Sequence, residues 1–385
     1  MDDLSSSVHA AQWIALDDMD FLFDKDCPNL ILVNPACGFS DADGRKLLAW
    51  YELCPAPMSR RRPIVLIALI LALVSTQVTL PAFGEEEKRS IQVDGLERVY
   101  TLYLPPNVGA GRPRPLLFIL HGGGGDVERM MTGYGSRLVE LAHADGGIAV
   151  VPEAIEKHWN DGREFRQSYH RRRKKDDIGF FRRLLGELKA KYSIDPNRIY
   201  FTGVSNGGMM TYRVALEMEA EVAAIAAIVA NLPDRIYEEY KADKPAASCP
   251  SGRMMNGTDD QWVPWKGGEV RALGRSKYGI VVSTPKTYSF WKRRTGCGPS
   301  SSQVTIPDRV EDDGVTAEKK SWRTADGDKE VVLITLTGGG HTAPTEMAPP
   351  GLLQRKLSER TFGRQCRDFD APEIVWQFLR LHVRQ

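Results

Sequence analysis

The stretch whose reading decides the fold is Asn197–Met210, NRIYFTGVSNGGMM. Arg198 to Thr202 is short, apolar and β-prone. Gly203-Val204-Ser205-Asn206-Gly207 follows at once as a G-x-S-x-G pattern, and Met209, Met210, Tyr212, Val214 and Leu216 then fall at spacings a helix accepts. The pattern predicts a strand that turns sharply into a helix around Ser205, the geometry of a presented nucleophile. The flanking glycines have a steric reason, because so tight a turn brings backbone segments together where a Cβ would clash.

Upstream of that turn, Ile91–Leu104 alternates around Asp94-Gly95, a two-residue hairpin signal. Pro115–Leu120 is a continuous apolar run suited to a buried strand, and it ends in His121-Gly122-Gly123-Gly124-Gly125. Arg129–Asp145 reads as one helix and Gly147–Pro152 as a second buried strand. Asp176–Tyr192 has Ile178, Phe181, Leu184, Leu185 and Leu188 on one helical face.

Downstream, Val222–Ala230 is strand-like, and Arg253–Met255 leads into the turn Asn256–Asp260. Thr284–Thr295 reads as a helix with Thr284 as N-cap and Pro285 at its first position. The strand Glu330–Leu336 precedes Gly338-Gly339-Gly340-His341, and Ala371–Leu381 closes the chain as an amphipathic helix. Strands alternating with helices imply an α/β fold: a mostly parallel central sheet, helices on both faces, and one antiparallel N-terminal hairpin. A single domain over residues 85–385 is the economical reading.

The composition is that of a globular protein, 42% hydrophobic and 26% charged, and the net charge of +1 gives no reason to expect nucleic acid or an anionic membrane as partner. Near-neutrality hides a division. Residues 1–57 hold ten Asp/Glu against three Lys/Arg, a net of −7, and since the whole is +1 the remainder is +8. The change falls at Met58, where Arg60, Arg61 and Arg62 precede the apolar run Ile64–Val74 and the small-x-small site Ala82-Phe83-Gly84. That is an export signal in composition and order. Residues 58–84 are therefore read as a signal peptide and 1–57 as an upstream extension that is not native, which makes the protein secreted, periplasmic or extracellular. Export permits a disulfide, and Cys249 with Cys297 is the preferred pair, with Cys366 left over.

Ser205 needs a base. Among the histidines, His341 sits on a glycine-rich turn directly after a strand, where open α/β sheets place their sites. The third member must orient the imidazole and stabilise its positive form. Asp260 fits, being in a turn after a strand and between Ser205 and His341 in the chain. Asp259 competes, and spacing alone does not separate neighbours. An oxyanion needs fixed N–H donors, and the backbones of Asn206 and of Gly123 or Gly124 are placed to provide them. The glycine run is not followed by Lys-Ser/Thr, which excludes a phosphate-binding P-loop. No metal spacing is visible, and this chemistry needs no cofactor.

Taken in order, LFILHGGGG, WNDGR, DDIGFF, RIYFTGVSNGGMM, NGTDDQWVPW and GGGH resemble the secreted α/β-hydrolase esterases grouped as polyhydroxybutyrate depolymerases and feruloyl esterases, related to carbohydrate esterase family one. The resemblance spans nearly all of residues 90–382. It implies a serine ester hydrolase with Ser205 as nucleophile and His341 as base, and its G-T-x-D-x-x-V-P pattern selects Asp260 over Asp259. Position 256, often His in that family, is Asn here. The family's members hydrolyse different esters, so hydroxyalkanoate oligomers, feruloyl esters and acetyl esters all stand as substrates. A prolyl-oligopeptidase-like peptidase and a non-catalytic binding protein on the same fold are the alternatives. His121, Trp159, Trp262 and Trp265 are expected near the substrate, the tryptophans as an apolar wall. The basic run Arg171–Lys175 reads as a solvated loop.

Overall fold

The computed structural model describes residues 85–384, apart from 107, 109–110, 164–174, 243, 247, 273–274, 300 and 348–351. The expected extension (1–57), the signal peptide (58–84) and Arg171 to Lys174 lie outside the described residues.

The chain opens with the antiparallel pair β1 (Glu86–Val93) and β2 (Leu96–Tyr103). Asp94 and Gly95 both carry positive φ, 50° and 75°, the two-residue turn whose twist matches the strands it joins. Then come β3 (Arg114–Leu120), the short helix α1 (Val127–Met131), α2 (Tyr134–Ala144) and β4 (Ile148–Pro152). The single helix expected over 129–145 is thus two, divided at Thr132-Gly133. Next are α3 (Asp177–Lys191), β5 (Ile194–Val204), α4 (Asn206–Glu217), β6 (Ala224–Ile228), α5 (Asp234–Tyr240) and β7 (Ser251–Gly257). A separate hairpin, β8 (Gly268–Ala272) with β9 (Arg275–Val281), precedes α6 (Thr284–Thr295). The last elements are β10 (Ser302–Ile306), β11 (Thr316–Arg323), β12 (Glu330–Thr337), α7 (Leu352–Phe362) and α8 (Ala371–Leu379).

The main sheet has ten strands in the order β1-β2-β4-β3-β5-β6-β7-β12-β11-β10. Its centre, from β4 to β12, is parallel, and both edges are antiparallel. The first hairpin was therefore not the only antiparallel part: β10 and β11 add a second antiparallel edge. Side-chain alternation along β3 divides the core. Leu116, Phe118 and Leu120 join α3, α4 and α6 on one face, and Leu117 and Ile119 join α2 and α8 on the other. Phe118 stacks on Phe201 of β5 with ring centroids 4.3 Å apart.

The strand order reverses between β3 and β5, so the loops leaving these two strands face each other across the switch point where open α/β sheets form their clefts. Ser205 leaves one of them and His121–Gly125 the other. Helix α6 begins one residue earlier than the sequence suggests. Ser283 is its N-cap, its hydroxyl accepting the Lys286 N–H, and Gly296 ends it in the left-handed conformation.

Candidate active site

Ser205 sits at a strained turn. Its φ of 55° and ψ of −118° lie where few L-residues sit, and its own N–H is tied to the Ile228 carbonyl at 2.9 Å. A Cβ on Gly207 would lie 2.3 Å from the Leu120 carbonyl oxygen, so only glycine lets the turn press onto the end of β3. Helix α4 starts at Asn206, which points the positive end of its dipole toward this turn.

His341 is carried by the glycine turn after β12. Its N–H donates to the Phe362 carbonyl at 2.5 Å and that of Gly340 to the Arg364 carbonyl at 2.8 Å. A Cβ on Gly340 would lie 2.1 Å from the Phe362 oxygen, so the run is glycine to let two backbones touch. Asp260 lies in the turn after β7, where its Oδ1 accepts the N–H of Trp262 and of Val263, each at 2.8 Å. Its other oxygen is 2.7 Å from His341 Nδ1, and His341 Nε2 is 2.9 Å from Ser205 Oγ. A carboxylate only accepts, so Nδ1 carries the proton and Nε2 offers its lone pair to the serine hydroxyl. Asp260 and His341 are both buried. Asp259, the competitor, is exposed and, among the described residues, its carboxylate accepts only the Thr258 hydroxyl at 3.0 Å. The arrangement can draw a proton from Ser205 Oγ and hold the resulting imidazolium against a fixed carboxylate.

Comparison with known proteins agrees with the fold. Residues 139–257 match the model of the prolyl oligopeptidase family, which spans β4 to β7 and includes Ser205. NocK of Nocardia uniformis subsp. tsuyamanensis, named as an esterase, is 29% identical over 285 residues, covering 70% of this chain and 79% of that protein. Feruloyl esterase B of Piromyces equi is 26% identical over 243 residues, 62% of this chain but 41% of that enzyme. Poly(3-hydroxyalkanoate) depolymerase C of Paucimonas lemoignei is 28% identical over 178 residues, covering 43% and 40%. The chain has an α/β-hydrolase fold and is similar in sequence to esterases.

Other residues expected at the site fall differently. Trp159 is wholly buried, packing at 5.5 Å from Phe181 and 5.2 Å from His121 while its indole N–H donates to the His121 carbonyl. It is core, not the wall of a substrate pocket. His121 is buried as well: Nε2 accepts the Ala154 N–H at 3.0 Å, and Nδ1 faces the Gly122 carbonyl at 2.8 Å. Both ring nitrogens are occupied by backbone, so it braces the glycine loop and leaves none for a substrate. Burial also pushes its pKa down, which keeps it neutral.

Gly124 donates its N–H to the Lys157 carbonyl at 2.8 Å and is not an oxyanion donor in this conformation. Among the described residues, the N–H groups of Gly123 and Asn206 have no such acceptor. Trp265 is half-buried against the core, its carbonyl accepting the Thr284 N–H. Trp262 is at the site: its ring stacks on that of His341 at 5.3 Å and 15°, and its indole N–H donates to the Thr361 carbonyl. Cys249, Cys297 and Cys366 are free and buried, so the expected Cys249–Cys297 disulfide is absent. The Cys297 thiol instead lies 3.2 Å from the Thr295 hydroxyl.

Residue types and spacing did not reveal the polar groups beneath the elbow. Asp177, the second acid of DDIGFF, is buried against Arg98 at 2.6 Å and accepts the Asn160 N–H at 2.6 Å, anchoring the WNDGR loop. That loop in turn grips the Asn206 side chain. Asn256 joins Asn231 and Thr284 in a buried hydrogen-bonded cluster that holds both backbone polar groups of Ala230. A further buried trio, Asp313, Cys366 and Asp368, stands apart from the site. Its carboxylates accept backbone N–H groups of residues 309, 310, 315 and 367, which ties two loops together.

Proposed function

We propose that this protein is an exported serine ester hydrolase working through an acyl-enzyme, with Ser205 as nucleophile, His341 as general base and acid, and Asp260 as the group that orients the imidazole. The observation carrying this reading is the unbroken hydrogen-bonded run from Ser205 Oγ through His341 to Asp260 at 2.9 and 2.7 Å. His341 takes the Ser205 proton as Oγ attacks the ester carbonyl, and the N–H groups of Gly123 and Asn206 hold the oxyanion. The imidazolium then protonates the leaving alcohol. In the second half, His341 activates water against the acyl-enzyme, and Ser205 recovers its proton.

The group that protonates the alcohol also fixes the side on which the alcohol leaves. A cleft of about 560 Å³ opens beside His341, lined in part by Tyr134, Met347, Phe362 and Gln365. Met347 and Phe362 are among the exposed large apolar side chains, giving that rim an apolar character. This supports short hydroxyalkanoate oligomers, feruloyl esters or acetyl esters as the substrate class, in line with what the relatives' names say of those proteins. Export rests on the composition of residues 58–84. Among the described residues, no helix is long and apolar enough to cross a membrane.

Ser205→Ala and His341→Ala should each abolish turnover of a short p-nitrophenyl ester while leaving the fold intact. A pure, folded Ser205→Ala protein with substantial activity overturns the scheme. The match to the prolyl oligopeptidase model over residues 139–257 favours one second reading, a serine peptidase. A matched amide substrate cleaved faster than the corresponding ester would establish it.

A further inference from the structure

The WNDGR loop meets the nucleophile turn through one side chain. Asn206 Nδ2 donates to Asp161 Oδ2 at 2.6 Å and to the Trp159 carbonyl at 3.2 Å, and Asn206 Oδ1 accepts the Trp159 N–H at 2.9 Å. Asp161 Oδ2 also receives Arg163 through Nε at 2.9 Å and Nη2 at 2.7 Å, while Oδ1 accepts the Arg163 N–H at 3.0 Å. Arg163 Nη1 continues to the Tyr278 carbonyl of β9 at 2.8 Å. The two charged side chains are 2% and 3% exposed, and Asn206 is 3% exposed.

Burying an ion pair costs desolvation, so its presence directly behind Asn206 needs a reason. One half of the reason is geometric. Three hydrogen bonds fix the amide of Asn206, and with it the peptide whose N–H faces the oxyanion position. The other half is electrostatic. A lone carboxylate at this depth would oppose the negative charge that develops on the substrate oxygen, since like charges repel strongly where water is excluded. Arg163 cancels that charge with a two-nitrogen grip on one oxygen.

We propose that Asp161 and Arg163 are positioning residues of this reaction, aligning the Asn206 N–H for the oxyanion and keeping the site beneath it neutral. The inference rests on the serine hydrolase reading above. It predicts an order of effects that a merely structural ion pair does not. Arg163→Gln leaves the carboxylate uncompensated and is the most damaging change. Asp161→Asn leaves a positive charge near the oxyanion and is the mildest. The double variant is neutral again and recovers much of what Arg163→Gln loses.

The experiment measures kcat and KM on a p-nitrophenyl ester, inhibition by a phenylboronic acid that forms a tetrahedral adduct, and thermal melting for the three proteins. Wild-type enzyme is first labelled at Ser205 with a fluorophosphonate. Failure of that labelling would count against the triad and not against this inference. Arg163→Gln should lower kcat by roughly 100-fold, as loss of an oxyanion donor does, with KM changed less than about threefold and boronate affinity falling in parallel. The double variant should regain at least about tenfold of that loss. A double variant no better than Arg163→Gln, or variants that melt early yet keep wild-type kcat, would overturn the proposal. If Arg163→Gln does not fold, Asn206→Ala decides. It keeps the backbone N–H but cuts the link, and should lower kcat by at least about tenfold; wild-type kcat in that variant overturns the proposal.

Discussion

Asp260 accepts the backbone N–H of Trp262 at 2.8 Å on the carboxylate oxygen that does not face His341. With the Val263 N–H on the same atom, the carboxyl group is fixed in rotation, and only Oδ2 is left for the imidazole. Among the described residues, Asp259 has no such anchorage. Asp260→Asn should therefore cut kcat by on the order of 10²- to 10⁴-fold, because an amide in that position favours the wrong imidazole tautomer. Asp259→Ala should stay within about twofold of wild type, as changes at exposed positions away from a site usually do. Steady-state kinetics on both variants checks the pair, and equal losses would contradict it.

The thiols offer a second test. Burial pushes Cys249 and Cys366 each up to about 12, and raises Cys297 as well. Thiolates are the reactive form, so all three should resist iodoacetamide at neutral pH in the native protein and react in denaturant without prior reduction. Peptide mapping reads this directly. A Cys249–Cys297 linked peptide from the unreduced protein would contradict the free thiols.

Acid should weaken the fold through histidines that are buried or half-buried. Burial pushes His121, His143 and His382 below the ordinary imidazole value. In the window between the folded and unfolded values the unfolded chain binds the proton and the native state does not, so stability rises with pH. It is fully present above the ordinary value of about 6.5 and is lost as pH falls below it toward the folded values. Denaturant midpoints measured from pH 8 to 5 should fall in that window. His121→Gln, whose amide can accept the Ala154 N–H without titrating, should flatten part of the slope. A midpoint that rises on acidification contradicts this account.

The Arg98–Asp177 pair connects β2 to the start of α3, and Arg98 also lies 4.0 Å over the Phe180 ring. Asp177→Ala removes one partner, strands a buried guanidinium and releases the Asn160 N–H. It should destabilise the protein by about 3–5 kcal/mol, the range for breaking a buried pair from one side. Denaturant titration measures it. A loss under about 1 kcal/mol would place the pair with exposed ion pairs in energetic terms.

Much of this architecture was legible in the chain because local chemistry dictates it. The elbow glycines, the Asp94-Gly95 turn and the uninterrupted apolar run before His121 each leave few alternatives. The antiparallel edge was not legible. Strand β11, Thr316–Arg323, carries four charged residues and is only half buried, so its sequence lacks the apolar signature of the central strands. Burial of individual aromatics was hidden too. Trp159 and Trp262 both flank glycine or acidic turn motifs, yet one fills the core and the other stacks on His341, a difference set by distant segments. The free state of Cys249 and Cys297 was hidden for the same reason: order along the chain does not give the orientation a disulfide requires. The grip of Asp161 on Asn206 joins residues 45 apart. Nothing local in either segment announces it.

The central claim is that Ser205 is the nucleophile of an esterase, and the most direct measurement is covalent. Native protein treated with a fluorophosphonate, digested and mapped should carry one adduct, on the peptide containing Ser205, with activity lost in proportion to labelling. An adduct on another residue, or complete labelling of Ser205 with ester hydrolysis undiminished, would contradict the account.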